Sequence, residues 1–361
     1  MGIVVYQLTA PPAPAGSDLS VGGIFQRMQR SIHGPRETAS GTSHRMIPLD
    51  AGITTVRINL PRPCDLSITG SDGDEIGIDI HSTARGFSPA EARTAADATR
   101  ITDARASDTI ALTGDWDDRR GPMGFVTQAT IAISVPRRMR VSLLPHIGLL
   151  TVKDVAALDA ASSRGETHVT GTAGDVRLQH GGGTLEIAGG ASLHLTTRNS
   201  RGDVSGITGT FALETSGGRL SLNGLSGPLD IESRNSDISL GQIERMQPPL
   251  RYNGTGGALR VDGLRTEGRI DGHNTDLDIR LAAAAPVTIY NVGAIVVTAP
   301  PGGFTLDAIA TDGRITSDLT NVPAAPADGP DMRVSAAIRG GGPVLTLRAT
   351  RGRIDVRAGG K

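Results

Sequence analysis

The sequence predicts an all-β chain: a parallel β-solenoid with a β-rich N-terminal entry region and one short α-helix. Three observations predict it. The first is a repeat close to 18 residues long, carried by Ala160, Leu178, Leu195, Leu213 and Ile231, then by Tyr252 after a longer step and by Ile270. The second is a pair of apolar residues two apart in each repeat. Leu193 and Leu195 form one pair, and Leu220 and Leu222 form the pair that follows seven and nine residues after Leu213. Apolar residues two apart mark strands with one buried face, and strands recurring at a fixed period near 20 mark stacked coils. The third is a load of 48 glycines in 361 residues with no collagen-like period, as many tight turns between short strands require.

In chain order, residues 1–45 read as a poorly structured leader broken by Pro11, Pro12 and Pro14. Within it Ile24, Phe25, Met28 and Ile32 form the stripe of a short amphipathic helix, read as a cap on the coils or as a docking helix. Residues 46–140 form the entry region, with alternation at Val56–Leu60, Leu66–Ile68 and Ile76–Ile80. Gly70–Asp74 is a turn, since its aspartates lack the full run of calcium ligands. Ser88-Pro89-Ala90-Glu91 combines an N-cap, a first-turn proline and a capping-box glutamate, and predicts a helix over 88–100. Strands follow at 108–113 and 129–135, joined by a polar loop holding Trp116, either a contact residue or a loop anchor. Solenoid repeats then fill 141–357, interrupted at 245–249 and 321–331, with Leu345, Leu347, Ile354 and Val356 closing the array.

Composition narrows the function classes. A formal net charge of −1 gives no field for nucleic acid or anionic lipid, so no nucleic-acid partner is expected. No stretch reaches the roughly 18 apolar residues of a transmembrane segment. The start Met1–Tyr6 lacks a secretion signal, which predicts a cytoplasmic location. Cys64 is the only cysteine and reads as a structural thiol. Aromatic residues make up 2% of the chain, so sugar contacts would be mainly polar.

The candidate binding site is a ridge at one solenoid corner: Thr197, Arg198, Asn199, Ser233, Arg234, Asn235 and Asn274. Stacked coils lie about 4.8 Å apart, so these residues form a ladder. Asn and Gly accept the left-handed backbone that a sharp corner needs, giving a structural role, while Arg198 and Arg234 suit acidic groups on a polymer. His273, Asp276 and Asp278 are the nearest approach to a reactive cluster, yet no partner cluster recurs on neighbouring coils. Walker, G-x-S-x-G, H-E-x-x-H and paired C-x-x-C motifs are absent, and Gly181–Gly183 is a turn with no helix behind it. No catalytic residue, metal ligand or cofactor is expected.

Three segments carry a family resemblance: Leu66–Ile76, Ala132–Pro136 and repeats such as Leu213–Leu225. Over about residues 50–357 the chain resembles the bacterial "putative adhesin" domain family of unknown function. The resemblance implies a right-handed β-helix and a cell-surface or periplasmic location, and it carries no catalytic residues to transfer. The expectation is a non-enzymatic, adhesin-like binding or scaffold module facing a protein or polysaccharide surface. The alternatives are a polysaccharide-active β-helix enzyme and a cytoplasmic structural protein that self-associates.

Overall fold

A computed structural model of the chain describes residues 34–116, 125–243, 245–320, 322 and 331–359. The amphipathic helix expected over 24–32, the loop just beyond Trp116 and most of the 321–331 excursion lie outside them. The described residues are all-β with one helix, and they fall into two compact units that divide after Val155.

In the first unit, strand β1 (Glu37–Pro48) takes in residues 37–45 of the stretch expected to be leader. It shows no apolar alternation because it buries little beyond Gly41 and Ile47, and it is held by backbone pairing instead. β2 (Thr55–Asn59), β3 (Asp65–Ser71) and β4 (Glu75–Gly86) follow, and β4 runs antiparallel to β1 from Glu37↔Gly86 to Pro48↔Glu75. Helix α1 (Pro89–Asp97) starts where expected: the Glu91 N–H donates to Ser88 Oγ and the Phe87 N–H to Glu91 Oε2. It ends before residue 100, because Arg100–Ala106 leaves as β5, a strand the alanine-rich composition hid. α1 lies close over the sheet. A Cβ on Gly41 would stand 3.1 Å from the Ala96 carbonyl oxygen, and one on Gly86 would stand 2.4 Å from the Ala92 nitrogen.

β6 (Thr109–Asp115) pairs antiparallel with β5 and parallel with β2. β7 (Phe125–Pro136) joins β4 antiparallel and β3 parallel. β8 (Arg140–Ile147) pairs with β2, and β9 (Leu150–Lys153) with β3, so both strands belong to the first unit. Trp116 is 4% exposed and packs against Gly114, where a Cβ would meet its ring at 2.5 Å, which makes it an anchor and not a contact residue.

The second unit is a stack of parallel ladders. Its first strands are β10 (Ala157–Thr170), β11 (Asp175–His180), β12 (Gly183–Gly190) and β13 (Ser192–Ile207). Next come β14 (Phe211–Asn223), β15 (Leu229–Gly241), β16 (Leu250–Leu264), β17 (Gly268–His273), β18 (Asp276–Leu281), β19 (Val287–Val292) and β20 (Ile295–Thr298). Each repeat pairs in register with the next. One column runs Ala160, Leu178, Leu195, Leu213, Ile231, Tyr252, Ile270 and Ile289. A second runs Val169, Ile187, Val204, Leu222, Leu240, Val261, Ile279 and Val297. Both columns are buried throughout, as is the third apolar position at Ile207, Leu225, Ile243 and Leu264. Each valine, leucine or isoleucine in them contributes about 1.5–3 kcal/mol by leaving water.

The end of the stack departs from sequence order. β21 (Phe304–Thr311) and β22 (Arg314–Ser317) do not lie on β19 and β20. Between them sits the rung formed by β24 (Val344–Thr350) and β25 (Arg353–Arg357). Val287↔Leu345↔Leu306 and Ile295↔Ile354↔Ile315 give the register. β23 (Asp331–Ile338) runs antiparallel along the far side of β21. The closing residues Leu345, Leu347, Ile354 and Val356 therefore form an inner rung and not the outermost one. The chain turns back through Arg339–Gly342, where all four residues have positive φ, and three glycines make that reversal cheap.

Candidate functional site: the corner ridge

The corner between the two columns is shaped by alternation. Residues two and four past Leu193 point inward, so Thr197 belongs to the interior, and Ser233 does so for the same reason after Leu229 and Ile231. They are 1% and 3% exposed, and this removes both from the expected binding ridge. They join an internal polar column of Ser162, His180, Thr197, Thr215 and Ser233. Thr197 Oγ1 donates to Thr215 Oγ1 at 2.9 Å, and Thr215 Oγ1 lies 3.3 Å from Ser236 Oγ. The column ends in bulkier fillers. A Cβ on Gly254 would meet the Tyr252 hydroxyl at 2.1 Å, and one on Gly272 would meet Asn291 Oδ1 at 2.6 Å. Burial pushes the Tyr252 phenol above its ordinary range, and the Ser233 and Thr275 hydroxyls partly offset this. Burial holds His180 below the ordinary imidazole value; its Nδ1 lies 3.3 Å from Thr167 Oγ1 and its Nε2 has no partner.

Arg198, Asn199, Arg234, Asn235 and Asn274 remain at the surface. The three asparagines have φ of 49°, 50° and 52°, the left-handed conformation expected of them. On the rungs between them stand Gly217 and Gly256, also left-handed at 75° and 67°. A Cβ on Gly217 would lie 2.4 Å from Asn199 Oδ1, and one on Gly256 would lie 2.4 Å from Asn235 Oδ1. Each carboxamide thus occupies the space that the glycine of the next rung leaves open. Ser200 and Ser236 fix the corner from inside by donating to the Arg198 and Arg234 carbonyls at 3.1 and 3.0 Å.

Outside, Arg198, Ser216 and Arg234 follow one another in register. With Thr196, Glu214 and Glu232 they line a shallow depression of about 180 Å³. Neither guanidinium has an ion-pair or hydrogen-bond partner among the described residues. Arg219, by contrast, pairs with Asp237 at 3.0 Å, and Arg269 with Asp271 at 2.7 Å. The register continues through Thr255 to His273, so His273 belongs to the same ridge. The sequence spacing already sets Gly272-His273-Asn274-Thr275 at the corner offset of the earlier coils, and the register agrees. Asp276 and Asp278 are exposed on another column, beside Ala258 and Arg260.

The remaining candidates resolve as structural. Cys64 is buried, and burial together with the Asp65 charge pushes its thiol up to about 12. The turn expected over Gly70–Asp74 is shorter, since Gly70 and Ser71 belong to β3; in it Asp72 pairs with Arg137 at 2.8 Å and Asp74 with Arg138 at 2.5 Å. Among the described residues no helix is long and apolar enough to cross a membrane.

No family model matches the chain, and no curated protein matches it. Solved structures do. One is described as a "putative adhesin" from Parabacteroides merdae, 10% identical over 87% of this chain and 95% of that one, with a TM-score of 0.31. A "putative adhesin" from Parabacteroides distasonis is 9% identical over 88% and 97%, with a TM-score of 0.30. A "putative cell adhesion protein" from Clostridium sporogenes is 11% identical over 89% and 100%, with a TM-score of 0.22. Superposition at such scores is poor, and the fold stands on this chain's own ladders.

Proposed function

We propose that the chain is a non-enzymatic, adhesin-like binding module in which the parallel ladders form a stiff β-solenoid presenting its corner ridge to a protein or polysaccharide. One observation carries this reading. Exposed polar and basic side chains that the packing does not use recur on successive rungs, above an interior closed by apolar columns and hydroxyl pairs. A shallow, periodic surface of this kind suits an extended partner better than a small molecule, which favours a concave and largely enclosed pocket. The test is binding of the full chain to arrays of glycans and extracellular-matrix proteins, with protease accessibility on whole cells to locate it. Retention of a glycan or matrix protein is the expected result. Binding to nothing on the arrays, or cleavage of a polysaccharide that stops in Asp276→Ala or Asp278→Ala, would overturn the reading.

A further inference from the structure

Over the five rungs from Arg198 to Asn274 the ridge has a period of two rungs. Its outward dipeptides, one per rung and in register, are Arg198-Asn199, Ser216-Gly217, Arg234-Asn235, Thr255-Gly256 and His273-Asn274. A basic residue with an asparagine alternates with a hydroxyl residue and a glycine. The Asn–Gly half of this alternation has a packing cause at Asn199 and Asn235, whose carboxamides fill the space left by Gly217 and Gly256. The basic–hydroxyl half has none: Arg198, Ser216, Arg234, Thr255 and His273 are outward-facing, and packing would accept any polar residue there. Rungs lie about 4.8 Å apart, so the basic groups recur every ~9.6 Å along a line flanked by carboxamides.

That spacing selects among linear polyanions. Phosphates along one strand of duplex DNA advance only about 3.4 Å each. In an extended acidic peptide, side chains on one face recur about every 6.6 Å. A polysaccharide with a charge on every sugar is also too dense, whereas one with a charge on every second sugar repeats over the length of an extended disaccharide. Guanidinium groups free of internal partners suit carboxylate or sulfate, and carboxamides both donate to and accept from sugar hydroxyls and N-acetyl groups.

We propose that the ridge binds a linear anionic polysaccharide carrying one acidic group per disaccharide, read by Arg198, Arg234 and His273 with Asn199, Asn235 and Asn274 between them. This rests on the binding-module reading and names its ligand class. Glu214 and Glu232 border the track beyond ion-pair distance of the arginines, leaving both guanidinium groups available to a ligand.

The experiment is calorimetric titration of the full chain with three probes: unsulfated chondroitin oligosaccharides, oligogalacturonate with a charge on every sugar, and neutral chitin oligosaccharides. Chondroitin is expected to bind tightest. Arg198→Ala and Arg234→Ala should each weaken it about tenfold, as loss of one charged hydrogen bond implies. Both side chains are exposed, so circular dichroism and Tm should stay at wild-type values. Ser216→Arg fills the intermediate rung and should move preference toward oligogalacturonate. Equal binding of all three probes, or chondroitin binding indifferent to both arginines, would overturn the ridge proposal and leave the broader reading standing. No binding to these probes, with retention of some other array member, would do the same. No binding to any array member would overturn both.

Discussion

The middle of the second unit and its end are built from the same strand pattern but assembled differently. From β13 to β15, sequence order and spatial order coincide, and every step of 18 residues is one step up the stack. From β19 to β25 the pattern persists, yet the rung 344–357 lies beneath the rung 304–317 that precedes it in the chain. The periodic apolar pair specifies that a segment will be a rung. Which rung it lies upon is set by the connections, here the short link 299–303 and the reversal at Arg339–Gly342.

Core truncation tests this contrast most severely. Phe211→Ala in the middle should lower stability by about 3–5 kcal/mol, and Leu347→Ala in the inserted rung by about 2–5 kcal/mol, read from urea unfolding. If Leu347→Ala cost well under 1 kcal/mol, residues 344–350 would be a fraying terminus and not an inner rung. A smaller effect belongs to the corner, where the regular region alternates asparagine with glycine. Gly217→Ala should cost about 1–2 kcal/mol through its left-handed backbone and its approach to Asn199. Adding Asn199→Gly should return part of that loss. A double-mutant cycle with no coupling would dismiss the Asn–Gly alternation as a packing device.

Much of this was legible beforehand. The columns through Leu195 and Leu222 could be read because period-2 burial leaves an apolar signature that nothing else in the chain imitates. β1 could not be, because its pairing is by backbone and its buried Gly41 carries no apolar label. Thr197 and Ser233 are buried because inward parity from Leu195 and Ile231 continues through them, whereas hydroxyl chemistry alone points to a surface. His273 shares the corner offset of Asn274 in the sequence, and only its chemistry set it apart with Asp276 and Asp278. The inserted rung left no local trace at all, since both possible neighbours offer β24 the same apolar pair.

Acid sensitivity is a subtler contrast between interior polar positions. Burial lowers the His180 pKa in the folded state, so the unfolded chain takes up the proton first. Its share of stability is whole above the ordinary imidazole value of about 6.5 and declines as pH falls from there toward the depressed native value. His180→Thr, which copies the hydroxyls at 197 and 215, should flatten the fall of Tm between pH 8 and 5. Burial depresses His146 in the first unit as well, so some slope should persist. An unchanged profile would show that His180 is hydrated or already charged. The mildest test uses Cys64, whose thiol stands at about 12 and is buried. Iodoacetamide at pH 8 should leave it unmodified in the folded protein and label it once urea unfolds the first unit. Rapid native labelling would contradict the packing around β3.

The out-of-order rung bears on how the chain is born. Translation delivers residues 304–317 before residues 344–357, so the outer rung leaves the ribosome while its support does not yet exist. Domains form largely in the order of synthesis. Here the order reverses: β19 and β20 must keep an open upper edge until the late segment arrives, and β21 is seated only on top of it. Residues 344–357 act as a keystone, the late piece that locks in place those that came before it.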